Sequence, residues 1–434
     1  MVKEVFEARS FAVIGASREE GKVGNIIFKN LLQNGIKAFP VNPNAQEILG
    51  EKCYKSLKEI KEKIDCVIIA IKSEFVLQVL KEVNNKDIKI VVIISSGFSE
   101  SGNKDIEDKI KELCFRNNIK LIGPNTLGYI NPYNNLNASF FATMPNKGKI
   151  AFLSQSGAIG SAILDMDIGF SGFVSLGNMA CLDFSDFIEY FSNDKNTEVI
   201  TLYIESLKKD MGKRFIETCK RCKKPIIAIK SGKTPTGIKA ASSHTAALAS
   251  EEGVYEGIFS QCKIIEADSV KQMFLIAELL VKYKNIGKNA CVVTNGGGVG
   301  VLCSDYCFKL GINLPMLPNN IFKKLDEFLP EGWGKNNPID ILGDAKAELY
   351  EKTLDILENE KFFDFYIILL TPQYMTEPDK TAEILLKMSM KKPILSCFMG
   401  GNKVESARQV LSKNNILVFD DVKDLCEVLG KVVK

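Results

Sequence analysis

Short apolar runs alternate with longer amphipathic segments along the whole chain. In the first third the apolar runs are "SFAVIG", "KAFPVN", "CVIIAI", "IKIVVIIS" and "IKLIG", separated by segments of helix length or more. Such alternation is typical of a parallel α/β sheet. The pattern predicts a doubly wound domain that is complete by about Gly128. The Asn- and Pro-rich segment "YINPYNNLNASFFATMPNKG" has no clear period, and we predict that it is a linker.

Two further series of predicted strands follow this segment. The second consists of "KIAFLS", "GFVSLG", "EVITLYIES", "PIIAIKS" and "CKIIEA", and the third of "NACVVT", "FYIILLT", "PILSCF" and "ILVFD". Both series open with an apolar strand, a small polar turn and a helix, in "KIAFLSQSGAIG" and "ACVVTNGGGVGVL", which indicates two related domains of one architecture. With a hinge at 281–289, the predicted domains cover residues 1–128, 145–283 and 288–434.

Composition and charge argue against several classes of function. Of the 434 residues, 46% are hydrophobic and 25% are charged, so the chain has ample material for buried cores. The net charge is only +3, and phosphate backbones are bound by clustered basic residues, so nucleic acid is not an expected partner. No apolar run approaches the roughly 18 residues of a membrane helix, and the N-terminus lacks the apolar core of a secretory signal. We therefore expect a cytoplasmic protein without a membrane partner.

The twelve cysteines lie mostly inside apolar runs such as "DCVIIAI" and "NACVVT". In a chain of this length that distribution is typical of small, reduced core residues. Cys219 and Cys222 form one Cys-x-x-Cys motif, but no second pair or nearby histidine completes a zinc site. The "CKRCKKP" context indicates a solvated helix end, and we expect no metal on this chain.

The chain contains one histidine, His244, in the segment "AASSHTAALAS". Histidine changes its charge near neutral pH, so it can give, take or carry a group there. A lone histidine does not form a multi-histidine metal site, and the plainer interpretation is an imidazole satisfied by one hydrogen bond. The hydroxyls of Ser242, Ser243 and Thr245, and the small alanine side chains around them, instead favour a site that a bulky charged group approaches.

The first Gly-rich turn, "VIGASREEGKVG", follows the first predicted strand. Backbone N–H groups and the helix dipole favour a phosphate at such a helix N-terminus, where Ser17 and Lys22 add a hydroxyl and a positive charge. The spacing is not G-x-G-x-x-G, and the second strand ends in "VNPN" without the acidic residue of a dinucleotide site. NAD is therefore disfavoured, and another phosphate-bearing nucleotide is predicted. The alternative is a turn that serves only close strand–helix packing.

Two more helix starts and one carboxylate complete the candidate site. The residues at these starts are Ser154, Gln155, Ser156 and Gly157, and Asn295, Gly296, Gly297 and Gly298. Their N–H groups and hydroxyls make a small anion cradle, although Ser and Asn are also ordinary helix caps. Glu205 follows "VITLYI" at the strand edge where α/β proteins bind ligands, and a carboxylate there orients an imidazole as nucleophile. The alternative for Glu205 is a solvated charge.

Together these motifs resemble the ADP-forming acyl-CoA synthetases, relatives of succinyl-CoA synthetase, and specifically their α chain. The resemblance runs through "GPNTLGYINP", "AFLSQSGAIG", "LYIES", "KSGKTPTGIKAASSHTAALA", "TNGGGVGVL" and "NPIDILGDA" and covers nearly the whole chain. It implies an α/β fold with an N-terminal Rossmann-like CoA-binding domain and two flavodoxin-like (succinyl-CoA synthetase-like) domains. It also implies an acid–CoA ligase of the acetate–CoA ligase type, which reversibly converts acyl-CoA, ADP and phosphate to organic acid, CoA and ATP.

The resemblance implies roles for the candidate residues. His244 carries the phosphoryl group as phosphohistidine, Glu205 orients it, and the two helix starts, including Asn295, Gly296 and Gly297, hold phosphate. The residues implied to bind CoA are Gly15, Ser17, Lys22, Val23, Gly24, Asn42 and Ser96. ADP or ATP with Mg²⁺ is expected on a partner chain, an ATP-grasp β subunit, in an α2β2 heterotetramer that uses a small acyl-CoA.

The chain departs from the family pattern at several positions. Thr126 stands where cysteine is common, and Lys72 and Val299 stand where proline is common. The region "LVFDDVKDL" replaces a Pro-containing segment, whereas the surroundings of the histidine match closely. A non-catalytic CoA-binding regulatory or scaffold protein of the same fold is the alternative, and the intact His244, Glu205 and "SQSG" argue against it.

Overall fold

The computed structural model describes residues 2–208, 211–244, 252–358, 360–388 and 392–433, with the backbone alone for residues 240–244 and 252. Its contacts divide the chain into two compact units, Met1–Ser269 and Val270–Lys434. The N-terminal unit contains two large sheets and a small two-stranded one, and the C-terminal unit contains one large sheet.

The first sheet of the N-terminal unit is parallel, in the order β2-β1-β5-β6-β7. Its strands, with the separate pair β3 and β4, are β1 (Ser10–Ile14), β2 (Lys37–Val41), β3 (Glu47–Ile48), β4 (Glu51–Lys52), β5 (Cys66–Ile69), β6 (Ile90–Ile93) and β7 (Lys120–Ile122). Its helices are α1 (Lys3–Glu7), α2 (Val23–Gln33), α3 (Ser73–Asn85) and α4 (Lys104–Arg116). Strands β5 and β6 are buried throughout, as expected where helices cover both faces of a parallel sheet.

The second sheet has the order β14-β13-β12-β10-β11-β8-β9. Its strands are β8 (Gly128–Asn131), β9 (Leu136–Ser139), β10 (Lys147–Ser154), β11 (Phe170–Ser175), β12 (Val199–Ile204), β13 (Ile226–Lys230) and β14 (Ile265–Glu266). Its helices are α5 (Gly157–Leu164), α6 (Phe184–Asn193), α7 (Gly212–Arg221), α8 (Pro235–His244) and α9 (Glu252–Cys262). Strands β10 to β14 are parallel, and β8 joins β11 in the antiparallel sense.

The segment predicted to be a linker is instead a hairpin, so that prediction was wrong. Strands β8 and β9 pair with each other and extend the second sheet past β11. Tyr129 is fully buried, and its hydroxyl donates to the Val5 carbonyl at 2.8 Å. The Asn30 amide of α2 donates to the Ser139 carbonyl at 2.9 Å. The hairpin is therefore held against the first sheet's helices by partners more than 100 residues away in sequence.

The large sheet of the C-terminal unit has the order β16-β15-β17-β18-β19 and is parallel. Its strands are β15 (Ala290–Thr294), β16 (Ile339–Asp340), β17 (Phe365–Leu370), β18 (Ile394–Phe398) and β19 (Val418–Phe419). Its helices are α10 (Val270–Lys282), α11 (Gly297–Lys309), α12 (Asn319–Asp326), α13 (Ala347–Leu357), α14 (Pro378–Lys387), α15 (Asn402–Lys413) and α16 (Val422–Val432). Helix α10 packs within this unit, where Lys271 lies 2.9 Å from Asp424 of α16.

The parallel strands of the three large sheets share one order. Counted along the chain, the five parallel strands of each lie in the order 2-1-3-4-5, so the direction of winding reverses between the first and third strands. These reversal points are β1/β5, β10/β12 and β15/β17. Ligands of doubly wound sheets bind outside the carboxyl ends of the strands at such a switch point. The α/β prediction and the apolar runs named as strands are confirmed, and the switch points show where to look for sites.

The helices and cysteines of the described residues can be compared with what the sequence predicts. None of the described helices is long and apolar enough to cross a lipid bilayer. All twelve cysteines are free thiols, and ten of them are buried, as predicted for small core residues. Cys219 is buried in α7 and Cys222 directly follows this helix, so the Cys-x-x-Cys motif lies at a helix end.

Candidate active site

Two serines build the turn after β10. The Ser154 hydroxyl donates to the Ser156 carbonyl at 2.7 Å and accepts from the Ser156 N–H at 3.2 Å. The Ser156 hydroxyl caps α5 by accepting the Ile159 N–H at 3.3 Å. Helix α5 then begins at Gly157, and N–H groups in the first turn of a helix have no partner within it. The turn therefore presents backbone donors to an anion at the β10/β12 switch point.

Gln155 joins this turn to the neighbouring strand. Its side-chain oxygen accepts the backbone N–H of Glu205 at 2.6 Å and of Ser206 at 2.9 Å, just beyond the end of β12. Both Gln155 and Ser206 are buried, and Ser154 lies opposite Tyr203 in the register of β10 and β12. The amide therefore spans the switch point and fixes the backbone of Glu205. This is a positioning role that sequence analysis did not indicate.

A buried lysine lies near Glu205. Lys230 is the last residue of β13, pairs with Ile204 in register, and is 7% exposed. Its Nζ donates to the Ser231 carbonyl and lies 4.6 Å from the centre of the Tyr255 ring. Burial lowers the pKa of Lys230, and the negative charge of Glu205 raises it. Sequence analysis missed Lys230, although the signal was present: a charged residue ends the apolar run "PIIAIK" as Glu205 follows "VITLYI".

Helix α8 leads from this strand edge to the histidine. Thr234 caps it by accepting the Gly237 N–H at 3.1 Å, and Pro235 occupies the first helical position. The helix approaches the 3-10 turn Ser99–Ser101 of the first sheet and ends at His244. The side chains of Ser242, Ser243 and His244, and all of Thr245, lie outside the described residues. The pairing of His244 with Glu205 therefore stays a prediction.

The C-terminal unit contains a second turn of the same design. The Thr294 hydroxyl donates to the Gly296 carbonyl at 3.1 Å and accepts the Gly296 N–H at 3.0 Å. Asn295 accepts the Thr371 N–H at 2.8 Å, across the β15/β17 switch point. Its amide donates to the Thr371 carbonyl and to the Gln373 side chain, both at 2.8 Å. The Asn295 side chain is thus hydrogen-bonded within its own unit, and its contact with phosphate stays a prediction.

The space beside the first glycines of α11 is tight. A Cβ on Gly296 would lie 2.9 Å from the Thr371 hydroxyl, and one on Gly297 would lie 2.7 Å from an Asp340 carboxylate oxygen. Around Gly298 the space is open, with nothing within 4 Å of a Cβ. The predicted phosphate-binding residues Ser154 to Gly157 and Asn295 to Gly297 thus occupy equivalent positions, each within its own unit.

The turn after β1 brings strand and helix very close together. Gly15 has a φ of +86°, and a Cβ there would lie 2.4 Å from the Ala70 carbonyl oxygen, just beyond β5. A Cβ on Gly24 would lie 2.0 Å from the Gly15 carbonyl oxygen. Neither position accommodates a side chain without displacing backbone. Close packing, the alternative raised from the sequence, is therefore one role of these glycines.

The other CoA candidates follow the carboxyl ends of β1, β2 and β6. They are Ser17, Lys22, Val23, Asn42 and Ser96. Lys22 is exposed directly before α2, with its Nζ 3.6 Å from Glu19. The Asn42 amide donates to the Ala16 carbonyl at 2.8 Å, and Ser96 is exposed in the loop after β6. The structure places these residues at one edge of one sheet, where their assignment to CoA stays a prediction.

Thr126, one departure from the family pattern, has a structural role. It is 3% exposed, and its hydroxyl donates to the Ser175 carbonyl at the end of β11 and accepts the Gly128 N–H at 3.0 Å. Thr126 thereby ties the loop after β7 to the second sheet. Lys72 directly precedes α3, and Val299 lies in the first turn of α11.

Three cysteines of the C-terminal unit lie together, which sequence analysis missed. The Sγ atom of Cys307 is 3.9 Å from that of Cys303 and 3.9 Å from that of Cys426, and all three lie within 4.8 Å of one another. All are fully buried between α11 and α16. Sulfur ligands at this spacing can surround a soft ion, since Zn–S bonds are about 2.3 Å long. Cys307 and Cys426 are 119 residues apart in sequence, so no local sequence motif contains all three cysteines.

Family comparisons match three successive parts of the chain. Residues 9–132 match the family described as CoA binding domain, and residues 147–280 match the Succinyl-CoA ligase like flavodoxin domain. Residues 290–432 match the Ligase-CoA domain. These descriptions follow one another in the order predicted from the sequence.

Two curated relatives are similar over the whole chain. Acetate–CoA ligase [ADP-forming] I of Archaeoglobus fulgidus is 40% identical over 444 residues, which cover 100% of this chain and 64% of that protein. The α subunit of acetate–CoA ligase [ADP-forming] II of Pyrococcus furiosus is 39% identical over 450 residues, covering 100% of this chain and 98% of that one. The chain thus spans slightly less than two thirds of the first relative and nearly all of the second.

A solved structure shares the fold. It is acetyl-coenzyme A synthetase 1 from Ca. Korarchaeum cryptofilum, described as dinucleotide forming and solved in complex with phosphate and ADP. It superposes with a TM-score of 0.94 at 32% sequence identity, covering 100% of this chain and 96% of that chain. The similarity therefore extends through both compact units of this chain.

Proposed function

This chain belongs to the family of ADP-forming acetate–CoA ligases, as the resemblance of its motifs indicated, and from that premise we propose that it carries the phosphoryl group on His244. In the proposed reaction, phosphate attacks the thioester carbonyl of an acyl-CoA, which forms an acyl phosphate and releases CoA. A nitrogen of His244 then takes the phosphoryl group and releases the carboxylate. The phosphohistidine finally passes the group to ADP, and every step is reversible.

The observation that carries this proposal is the arrangement at the β10/β12 switch point. The start of α5 at Gly157 offers N–H donors to a phosphoryl group. Beside it, Gln155 accepts the backbone N–H of Glu205 at 2.6 Å and of Ser206 at 2.9 Å. A carboxylate that accepts a hydrogen bond from one imidazole nitrogen stabilises the positive charge that develops as the other attacks. Lys230 adds a buried positive charge near Glu205.

We assign CoA to the edge of the first sheet. Helix α2 begins there with its free N–H groups, and the exposed Lys22 supplies a positive charge for the CoA phosphates. The catalytic assignment is preferred to the non-catalytic alternative because the similar proteins are ligases and synthetases over the full length of this chain. The buried Gln155 and Lys230 beside the half-buried Glu205 support the same assignment.

We propose that a second chain of the ATP-grasp class binds ADP or ATP with Mg²⁺, and that the complex is an α2β2 heterotetramer. Two observations support this division. The Pyrococcus furiosus relative is named as an α subunit. This chain covers 64% of the Archaeoglobus fulgidus relative, so the remainder of that protein has no counterpart in this chain. The acyl group is a small one, as in the acetate–CoA ligases that the chain resembles.

The test co-expresses this chain with an ATP-grasp partner and supplies acyl-CoA, ADP and ³²P-labelled phosphate. We expect ATP formation and an acid-labile, base-stable label on this chain, which distinguishes phosphohistidine from phosphoserine. The variant His244→Asn should still bind CoA and form acyl phosphate, because that step precedes the histidine, but should take up no label. The matched control Asn193→Asp, at the end of α6, should be labelled as in wild type.

Two results would contradict the proposal. Label that resists acid, or that persists in His244→Asn, would assign the phosphoryl group to another residue. ATP formation by this chain without any partner would contradict the division between two chains, and size-exclusion chromatography with light scattering tests the stoichiometry.

A further inference from the structure

Two cysteine side chains meet where helix α4 approaches the segment between β11 and α6. Cys114 is buried on α4, and Cys181 is half-buried, two residues before Asp183, which caps α6. The two side chains lie close enough for an interaction between the thiols to shift the pKa of both. Both line a cavity of about 640 Å³ between the first and second sheets. A small molecule in this cavity therefore reaches Cys181.

The surroundings make the two thiols unequal. The interaction with the Cys114 thiol lowers the pKa of Cys181, and the positive charges of Lys208 and Lys111 lower it further, against burial and the negative charge of Glu107. The same interaction, together with burial, raises the pKa of Cys114. The two lysines and the greater exposure of Cys181 therefore favour the thiolate at Cys181 over Cys114. Thiolates are the nucleophilic form of cysteine.

No other cysteine of the chain combines access with ionisation. Ten of the twelve are buried, and the second half-buried one is Cys222. Burial raises the pKa of Cys222, so that this thiol stays neutral. Cys222 is thus a matched comparison for Cys181, with similar exposure and the opposite electrostatic setting.

The wall of the cavity carries both positive and negative side chains. Its charged residues are Lys111, Lys120 and Arg214, and Asp108, Glu112 and Asp186. Phe115 and Met211 contribute apolar surface to the same wall. The cavity is thus suited to a small molecule that carries both charges, such as a thiol-containing peptide.

We propose that Cys181 is a site of modification by low-molecular-weight disulfides and that Cys114 is its resolving partner. The Cys181 thiolate attacks one sulfur of the small disulfide, which forms a mixed disulfide and releases one thiolate. Cys114 then loses its proton and attacks the Cys181 sulfur, which releases the second thiolate and leaves a Cys114–Cys181 disulfide. Two protein thiols are oxidised, and one small disulfide is reduced to two thiols.

This disulfide would cross-link the first and second sheets of the N-terminal unit. Polar contacts already hold the same boundary: the Asn178 amide donates to Glu107 at 2.9 Å, and Lys208 lies 3.7 Å from Glu107. The carboxylate of Glu107 also accepts the Ser99 hydroxyl at 2.6 Å. Ser99 belongs to the 3-10 turn Ser99–Ser101, which helix α8 approaches before it ends at His244. The cross-link would fix this boundary covalently.

The test exposes the reduced full-length chain to oxidised glutathione and identifies modified cysteines by mass spectrometry over time. We expect glutathione on Cys181 first and then the Cys114–Cys181 disulfide, with Cys181 reacting at least about tenfold faster than Cys222. Cys114→Ser should trap the mixed disulfide on Cys181, and Cys114→Ala replaces this variant if the serine does not fold. Cys222→Ser should leave the reaction unchanged.

Equal rates at Cys181 and Cys222 would overturn the modification site. Glutathione that stays on Cys181 in the wild-type chain, with no disulfide to Cys114, would overturn the resolving role. If neither Cys114 variant folds, the wild-type time course decides, because the proposal requires the mixed disulfide to decay as the internal disulfide appears.

Discussion

Replacing Gln155 with alanine removes a side chain that holds the turn after β10 to the end of β12. The lost oxygen accepts two backbone N–H groups, of Glu205 at 2.6 Å and of Ser206 at 2.9 Å. Ser206 is 7% exposed, so its N–H does not readily exchange a protein partner for water. The variant therefore tests whether this amide fixes the backbone of Glu205.

The expected cost follows from those two hydrogen bonds. Each contributes about 1 kcal/mol net, and a buried N–H left without a partner adds to the loss, so local stability should fall by about 2–3 kcal/mol. Since about 1.4 kcal/mol is a factor of ten, the Glu205 and Ser206 amides should exchange with solvent roughly 30- to 150-fold faster. The rate of phosphohistidine formation should also fall, because the backbone of Glu205 is no longer held in place.

Hydrogen–deuterium exchange of a peptide covering 199–208 measures this change directly. Gln155→Glu is one control, because a carboxylate accepts the same two N–H groups and should retain much of the protection. Asn295→Ala is the second, because it removes the equivalent amide, which accepts the Thr371 N–H at 2.8 Å, from the C-terminal unit. It should accelerate exchange at Thr371 and leave 205–206 unchanged.

Unchanged exchange at Glu205 and Ser206 in Gln155→Ala would refute the positioning role. Faster exchange of the same peptide in Asn295→Ala would also refute it, because the effect would then be global rather than local to one switch point.

Three further predictions follow from the packing, the carboxylate and the thiols. Gly24→Ala should destabilise the N-terminal unit by about 3 kcal/mol or more in a thermal melt, since its Cβ would lie 2.0 Å from a carbonyl oxygen, whereas Gly257→Ala, in open space on α9, should stabilise by up to about 1 kcal/mol. Glu205→Gln should keep the fold and CoA binding but slow histidine phosphorylation about 100-fold in a rapid-quench assay; wild-type rates would make Glu205 a surface charge. Because the pKa of Cys181 is lowered and that of Cys222 is raised, alkylation of Cys181 by iodoacetamide should reach half its maximal rate at the lower pH, and the reverse order would contradict the assignment.

The strands were predictable where a continuous apolar run fixes them locally. The strands within "CVIIAI" and "FYIILLT" are buried throughout, and short continuous apolar runs rich in β-branched residues are typical of strands covered on both faces. The hairpin β8–β9 escaped prediction because its apolar residues are interspersed with asparagines. Its place depends on distant partners, such as Val5 for Tyr129, which no local pattern contains.

In the candidate site, too, local features were predictable and contacts between distant residues were not. Turn residues such as Ser154 and Gly157 were predictable because a strand, a small polar turn and a helix follow one another in sequence. The roles of Gln155 and Lys230 were not, because they depend on which strands are neighbours and on how far an amide or an ammonium group reaches across them. The contact of Cys114 with Cys181 has the same origin, since it joins elements of different sheets.

The two matching turns have one further consequence. Phe398 pairs with Leu370 as Lys230 pairs with Ile204, so the C-terminal unit has an uncharged Phe398 at the position of Lys230, and Thr371 at the position of Glu205. The chain thus contains the framework of the turn twice and its charged pair once. The C-terminal copy is therefore a built-in reference that lacks the Glu205 and Lys230 charges, although it has the Asp340 carboxylate beside Gly297. A stronger preference of an anion for the first turn would include what Glu205 and Lys230 add.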